Sequence, residues 1–127
     1  LKKLKLVIVE DDKYSDQHLT IILKNFAKEI LHATAGHKAI ELCKNNPDID
    51  LILMDIKIPV IDGYQATREI RKFNKDVIII AQTAYALQGD KEKALDAGCN
   101  EYIPKPVRKN DLTGLLEKLF NRNTIPS

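Results

Sequence analysis

Residues 51–55 read Leu51-Ile52-Leu53-Met54-Asp55, four apolar residues in a row closed by an acid. A strand with one face in water alternates apolar and polar residues. This run does not alternate, so it predicts a strand buried on both faces, as in a parallel sheet covered by helices. Leu6-Val7-Ile8-Val9 upstream and Val77-Ile78-Ile79-Ile80-Ala81 downstream have the same character. Ile30 to Thr34 is a weaker strand, and Tyr102-Ile103 is a short last one.

Between the strands the unbroken apolar runs give way to apolar residues spaced with a period of 3.6. Leu19, Ile22, Leu23 and Phe26 recur at helical spacing, and Ala39, Leu42 and Cys43 mark a second helix opened near Gly36. Gly63 to Lys72 predicts a third, with Ala66 and Ile70 facing in. Leu87 to Ala97 predicts a fourth, closed by Gly98, and Leu112, Leu115, Leu116 and Leu119 mark the last. Five β/α units with short links predict an α/β fold: a doubly wound, five-stranded parallel sheet with helices on both faces. The 127 residues make one domain, residues 1–127, with a core from about 5 to 120 and a fraying tail from Asn121.

Composition closes off several function classes. Twenty Lys and Arg against 18 Asp and Glu leave a charge of +2, too weak to argue for direct nucleic-acid binding. With no Trp and 6% aromatic residues, a base-stacking platform is not expected either. No apolar run approaches the roughly 18 residues of a membrane helix, so no membrane insertion is expected. Cys43 and Cys99 form no CxxC pair, which predicts a reduced, cytoplasmic setting. The first residue is Leu1 rather than Met, and no signal peptide is visible, as expected for a piece of a longer protein.

Open α/β sheets bind ligands beyond the carboxyl ends of their strands. Glu10, Asp11 and Asp12 follow the first strand, Asp55 the third, Thr83 the fourth, and Lys105 with Pro106 the fifth. Singly, each has a plainer reading: the three acids as caps of the first helix, Asp55 as a turn residue, Thr83 as a helix N-cap, Lys105 as a solvated loop lysine. Together they place carboxylates, a hydroxyl and an ammonium on one rim. Such a rim suits phosphoryl transfer to a carboxylate: clustered acids attract Mg²⁺, and hydroxyl and ammonium hold phosphoryl oxygens. His18, His32 and His37 are scattered without zinc spacing, and no GxxxxGK[ST] loop is present.

The stretches VIVEDD, LILMDIKIPVIDGYQATREIR, IIAQTAYA and DAGCNEYIPKPV, with Asp55 44 positions after Asp11 and Lys105 22 after Thr83, resemble the receiver domain of two-component response regulators over Lys5 to Phe120. The wording is most similar to receivers of hybrid sensor histidine kinases. The resemblance implies the flavodoxin-like strand order 2-1-3-4-5. It implies that Asp55 is the phosphoacceptor, that Mg²⁺ (or Mn²⁺) is held by Glu10, Asp11, Asp55 and the backbone carbonyl of Lys57, and that Asp12 lies outside that set. Thr83, the backbone N–H of Ala84 and Lys105 are implied to bind phosphoryl oxygens, and Thr83 with Tyr102 to form a switch. Lys105–Pro106 is implied to be a cis peptide. Gly63 supplies a small residue where the loop after Asp55 meets the third helix.

The implied donor is a phosphohistidine on a histidine kinase or histidine phosphotransfer domain, approaching over Ser15, His18, Leu19, Pro106 and Val107. The implied role is a signalling switch rather than an enzyme, limited to Mg²⁺-dependent self-phosphorylation from a phosphodonor and slow autodephosphorylation. It includes a phosphorylation-dependent dimer through the fourth helix, fifth strand and fifth helix, and a cytoplasmic place, including as the cytosolic part of a membrane-anchored sensor kinase. Glu10 departs from the more common Asp, and Lys57 and Tyr85 fill the two variable positions beside the site. A haloacid-dehalogenase-like phosphatase would need an acid where Lys57 stands. A flavodoxin-like nucleotide binder would need a phosphate loop where the three acids stand. A receiver acting by contact alone would not need the full set.

Overall fold

The computed structural model describes residues 3–84 and 88–120. Five strands, β1 (Leu4–Val9), β2 (Ala27–Ala33), β3 (Leu51–Asp55), β4 (Ile78–Thr83) and β5 (Glu101–Pro104), alternate with five helices, α1 (Lys13–Leu23), α2 (Gly36–Asn45), α3 (Gly63–Arg71), α4 (Gln88–Ala97) and α5 (Lys109–Phe120). All strand pairs are parallel, in the order β2-β1-β3-β4-β5. The doubly wound fold is therefore as the unbroken apolar runs predict, and its order is flavodoxin-like.

The unbroken runs feed two cores. Val7, Val9, Ile52, Met54 and Ile79 point to the face covered by α2, α3 and α4, where they meet Ala39, Cys43, Ala66, Ile70 and Ala94. Leu6, Ile8, Leu51, Leu53, Ile80 and Ile103 point to the other face, against Leu19 and Leu23 of α1 and Leu112 and Leu116 of α5. Each such side chain contributes about 1.5–3 kcal/mol by leaving water. Both faces are saturated, so the polar ends of β1, β3, β4 and β5 are carried to one rim in fixed register.

Boundaries differ from the sequence expectation in four elements. Helix α1 stops at Leu23, and Phe26 lies in the turn beyond it, its N–H donating to the Leu23 carbonyl at 2.9 Å while its own carbonyl accepts from Leu4 N–H at 2.8 Å. Strand β2 starts earlier, at Ala27, and includes exposed Lys28 and Glu29. An edge strand has one side in water, so polar residues do not end it. Strand β4 runs on through Gln82 and Thr83, and β5 extends to Glu101–Pro104, because pairing with a neighbour continues past the apolar stretch. Helix α4 does close at Gly98, whose φ of 113° suits only glycine, as the C′ position requires. Leu87, Tyr85 and the tail from Asn121 lie outside the described residues.

Candidate functional site

The carboxyl ends of the strands bring three acids together. Carboxylate oxygens of Glu10, Asp11 and Asp55 lie within 4.8 Å of one another. Glu10 and Asp55 are each only 3% exposed, whereas Asp11 is open to solvent. Lys105 reaches across the sheet to them, its Nζ donating to Glu10 Oε1 at 2.9 Å and to Asp55 Oδ2 at 2.8 Å. Asp55 Oδ1 accepts the backbone N–H of Lys57 at 3.1 Å. Asp12 takes the plainer role: its side chain caps α1, accepting Ser15 N–H at 2.9 Å.

Local chemistry fixes these positions. Asp62 caps α3 through Gln65 N–H at 2.8 Å, which sets the return of the loop after β3. Gly63 N–H donates to the Ile56 carbonyl at 2.9 Å, and a Cβ at Gly63 would sit 2.4 Å from the Asp55 carbonyl oxygen. Only glycine permits that approach of α3 to the end of β3. On the far side, Lys105 N–H donates to the Thr83 carbonyl at 2.7 Å, and the following Lys105–Pro106 peptide is cis.

A cleft of about 130 Å³ opens over Asp55, bordered by Lys57, Thr83, Ala84, Asp90 and Lys105. Thr83 is buried at the end of β4, not at the start of a helix, and its hydroxyl donates to Asp90 Oδ2 at 3.4 Å. Asp90 carries no sequence signal beyond being an acid in the first turn of α4. Tyr102 is half-buried on β5, packs against the α2–α4 side of the core, and holds Lys91 Nζ 5.9 Å from its ring centroid. Its register partner is Ala81, two residues before Thr83, so Thr83 and Tyr102 share the face under α4.

Electrostatically the cluster is asymmetric. Burial, with the neighbouring Asp55 carboxylate adding to it, pushes the Glu10 carboxyl up to about 7, and Lys105 only partly offsets this. Burial pulls the Lys105 ammonium down, but its bonds to Asp55 and Glu10 outweigh that and leave it raised. Glu10 Oε2 is buried with no hydrogen-bond partner. Three crowded carboxylates, one with an orphaned oxygen, form an all-oxygen donor set short of positive charge. That set fits a hard divalent cation.

Beside the cleft runs a groove of about 510 Å³. Its walls are Tyr14, Ser15 and His18 of α1 and Pro106; Leu19 and Val107, both buried, form its floor. His18 Nε2 lies 2.7 Å from the Val107 carbonyl, tying α1 to the β5–α5 loop. Tyr14, 79% exposed, was not flagged by the sequence pattern. Gln82, which borders both cavities, was missed as well. Among the described residues no helix is long and apolar enough to cross a membrane.

Similarity to known proteins agrees with this geometry. Residues 6–117 match the family described as the response regulator receiver domain. The chain is 34% identical over 113 residues to the signal transduction histidine-protein kinase BarA of Escherichia coli, covering 87% of this chain and 12% of BarA. It is 38% identical over 125 residues to hybrid signal transduction histidine kinase G of Dictyostelium discoideum, covering 92% of this chain and 4% of that kinase. The chain thus spans a small part of these relatives. Among solved structures, it resembles the receiver domain of sensor histidine kinase PA1611 of Pseudomonas aeruginosa, which has a magnesium ion coordinated in its active-site cleft (TM-score 0.80, 36% identity, 91% of this chain and 96% of that one). It also resembles the Saccharomyces cerevisiae complex of the phosphotransfer protein Ypd1 and the Ssk1 receiver (TM-score 0.85, 33% identity, 92% and 88%). With the strand order, the acidic triad and the lysine that bridges it all in place, this chain belongs to the response regulator receiver domains of two-component systems.

Proposed function

We propose that Asp55 is the phosphoacceptor of this receiver and takes its phosphoryl group from a phosphohistidine on a histidine kinase or histidine phosphotransfer domain. The observation that carries this reading is the buried Asp55 carboxylate, held by Lys105 and crowded by Glu10 and Asp11. A carboxylate oxygen attacks phosphorus, the P–N bond to the imidazole breaks, an acyl phosphate forms on Asp55, and the released imidazole takes up a proton. Glu10, Asp11, Asp55 and the Lys57 backbone carbonyl would hold Mg²⁺ (or Mn²⁺), which when bound neutralises charge between the carboxylate and the phosphoryl oxygens. The Lys105 ammonium, the Thr83 hydroxyl and the Ala84 backbone N–H receive those oxygens from the cleft they border.

The donor approaches over the groove, with Ser15, His18 and Pro106 on its walls and Leu19 and Val107 beneath. Once Asp55 is charged, Thr83 moves toward the phosphoryl group and Tyr102 follows into the space on their shared face, altering the α4–β5–α5 surface. The chain is a switch, limited to Mg²⁺-dependent self-phosphorylation from a phosphodonor and slow self-dephosphorylation. Residues 1–127 form one receiver domain with its core at about residues 5–120; it works in the cytoplasm, including as the cytosolic part of a membrane-anchored sensor kinase, and it does not bind nucleic acid directly. Incubation with acetyl phosphate and Mg²⁺, read by intact mass, should add one phosphoryl group to the wild type and none to Asp55→Asn or to an EDTA-treated sample. Equal labelling of wild type and Asp55→Asn would reject the assignment.

A further inference from the structure

Among the described residues, the buried side-chain oxygen and nitrogen atoms without a hydrogen-bond partner belong to two residues, Glu10 (Oε2) and Gln82 (Oε1 and Nε2). Gln82 is 0% exposed. It is the register partner of Asp55 on one side and of Ile103 on the other. Ile103 points to the α1–α5 face, so the Gln82 amide stands on that face, immediately beside the strand that ends in Asp55. Among the described residues, Gln82 and Lys105 are the two common to the cleft over Asp55 and the groove beside it. A buried amide with both ends unpaired is costly, and native structures seldom keep one without a use. An apolar residue of the same length would fill the position without that cost.

Lys105 has three ammonium hydrogens, and two of them are spent on Glu10 and Asp55. Both of those carboxylates are also the groups a divalent cation would claim, and their hold on the lysine weakens when they turn to it. We propose that Gln82 is a positioning residue for Lys105: its Oε1 accepts the ammonium once Glu10 and Asp55 are engaged, keeping the lysine beside the incoming phosphoryl oxygens. No proton changes hands; one acceptor replaces another. The unpaired amide of the resting state is then the waiting half of a contact completed in the charged state. This inference rests on Asp55 being the phosphoacceptor.

The test follows the side-chain amide of Gln82 by ¹⁵N NMR, assigned in the wild type through its bonds to the Gln82 backbone, while Mg²⁺ and then beryllofluoride are added. The wild-type signal should shift as the loaded state forms. Gln82→Met should keep wild-type Mg²⁺ affinity and lose about tenfold in beryllofluoride affinity, with no fall in the melting temperature of the metal-free chain. An unmoved amide signal in a wild type that binds beryllofluoride overturns the proposal alone, and so does an unchanged beryllofluoride affinity in Gln82→Met. A wild type that binds no beryllofluoride overturns the phosphoacceptor reading and this inference with it. The wild-type signal decides the matter even where the variant folds poorly.

Discussion

Glu10 shows how burial turns a side chain into a sensor of its neighbours. Its folded pKa of about 7 lies above the ordinary 4.5, so the native chain binds this proton more tightly than the unfolded one. Its share of stability is therefore full below 4.5 and is lost as pH rises through 7. In EDTA the wild type should lose melting temperature between pH 5 and pH 8, and Glu10→Gln should flatten that loss, by on the order of 5 °C at pH 8. Parallel pH profiles for the two proteins would show that burial of Glu10 does not set the slope. Lys57, which borders the cleft, is expected to act on the product instead, its ammonium pairing with a phosphoryl oxygen and displacing the attacking water. Tyr85, two residues after Thr83 and outside the described residues, is expected to cover the same opening with its ring. Replacing Lys57 with Asn and Tyr85 with Glu together should shorten the phosphoryl lifetime about tenfold, which is about 1.4 kcal/mol of barrier. An equal or longer lifetime, with Mg²⁺ affinity intact, would clear both of guarding the site.

At the scale of elements, α1 and the β5–α5 loop act as one surface because the His18–Val107 contact joins them. Leu19 and Val107 are locked in the core, so a partner docking over this groove would meet Tyr14, Ser15, His18 and Pro106 and feel those two only as the floor. Adding a histidine phosphotransfer domain should move the backbone NMR signals of these wall residues first. Shifts confined to α2 and α3 would place the partner elsewhere. The elements were legible in the sequence wherever burial on both faces left an unbroken apolar run, as at Leu51–Met54. They were blurred where that signal fails. Phe26 kept helical spacing although the chain had already turned, and the polar Lys28 and Glu29 masked an edge strand. Gln82 was hidden for the opposite reason: a polar residue after Ala81 reads as the end of a strand, whereas pairing with β3 and β5 carries it into the interior. Asp90 could not be found at all, since its meeting with Thr83 depends on how α4 is set against the sheet.

Across the whole molecule, the switch must travel from the rim to a face. Thr83 and Tyr102 lie under α4, and α4 presents Leu95, 46% exposed. Phosphorylation is expected to bring two copies together through α4, β5 and α5. Light scattering should show a mass increase on adding Mg²⁺ and beryllofluoride, and Leu95→Asp should suppress it while leaving Asp55 competent. A mass unchanged on loading would leave the switch working through other partners. The acids, Thr83 and Lys105 were readable in advance because strand order alone delivers strand ends to one rim; the groove depends on side-chain packing that no linear pattern records.

The bridge made by Lys105 has a history in the order of synthesis. It joins residues 50 and 95 positions apart, so the acids of β1 and β3 are made well before the cation that reconciles them. A nascent chain that ends before β5 holds the three carboxylates without the ammonium that bridges Glu10 and Asp55. The finished domain thus joins Glu10 to Asp55 only with the residue that follows its last strand, and a truncation there removes the site's cohesion along with one of its functional groups.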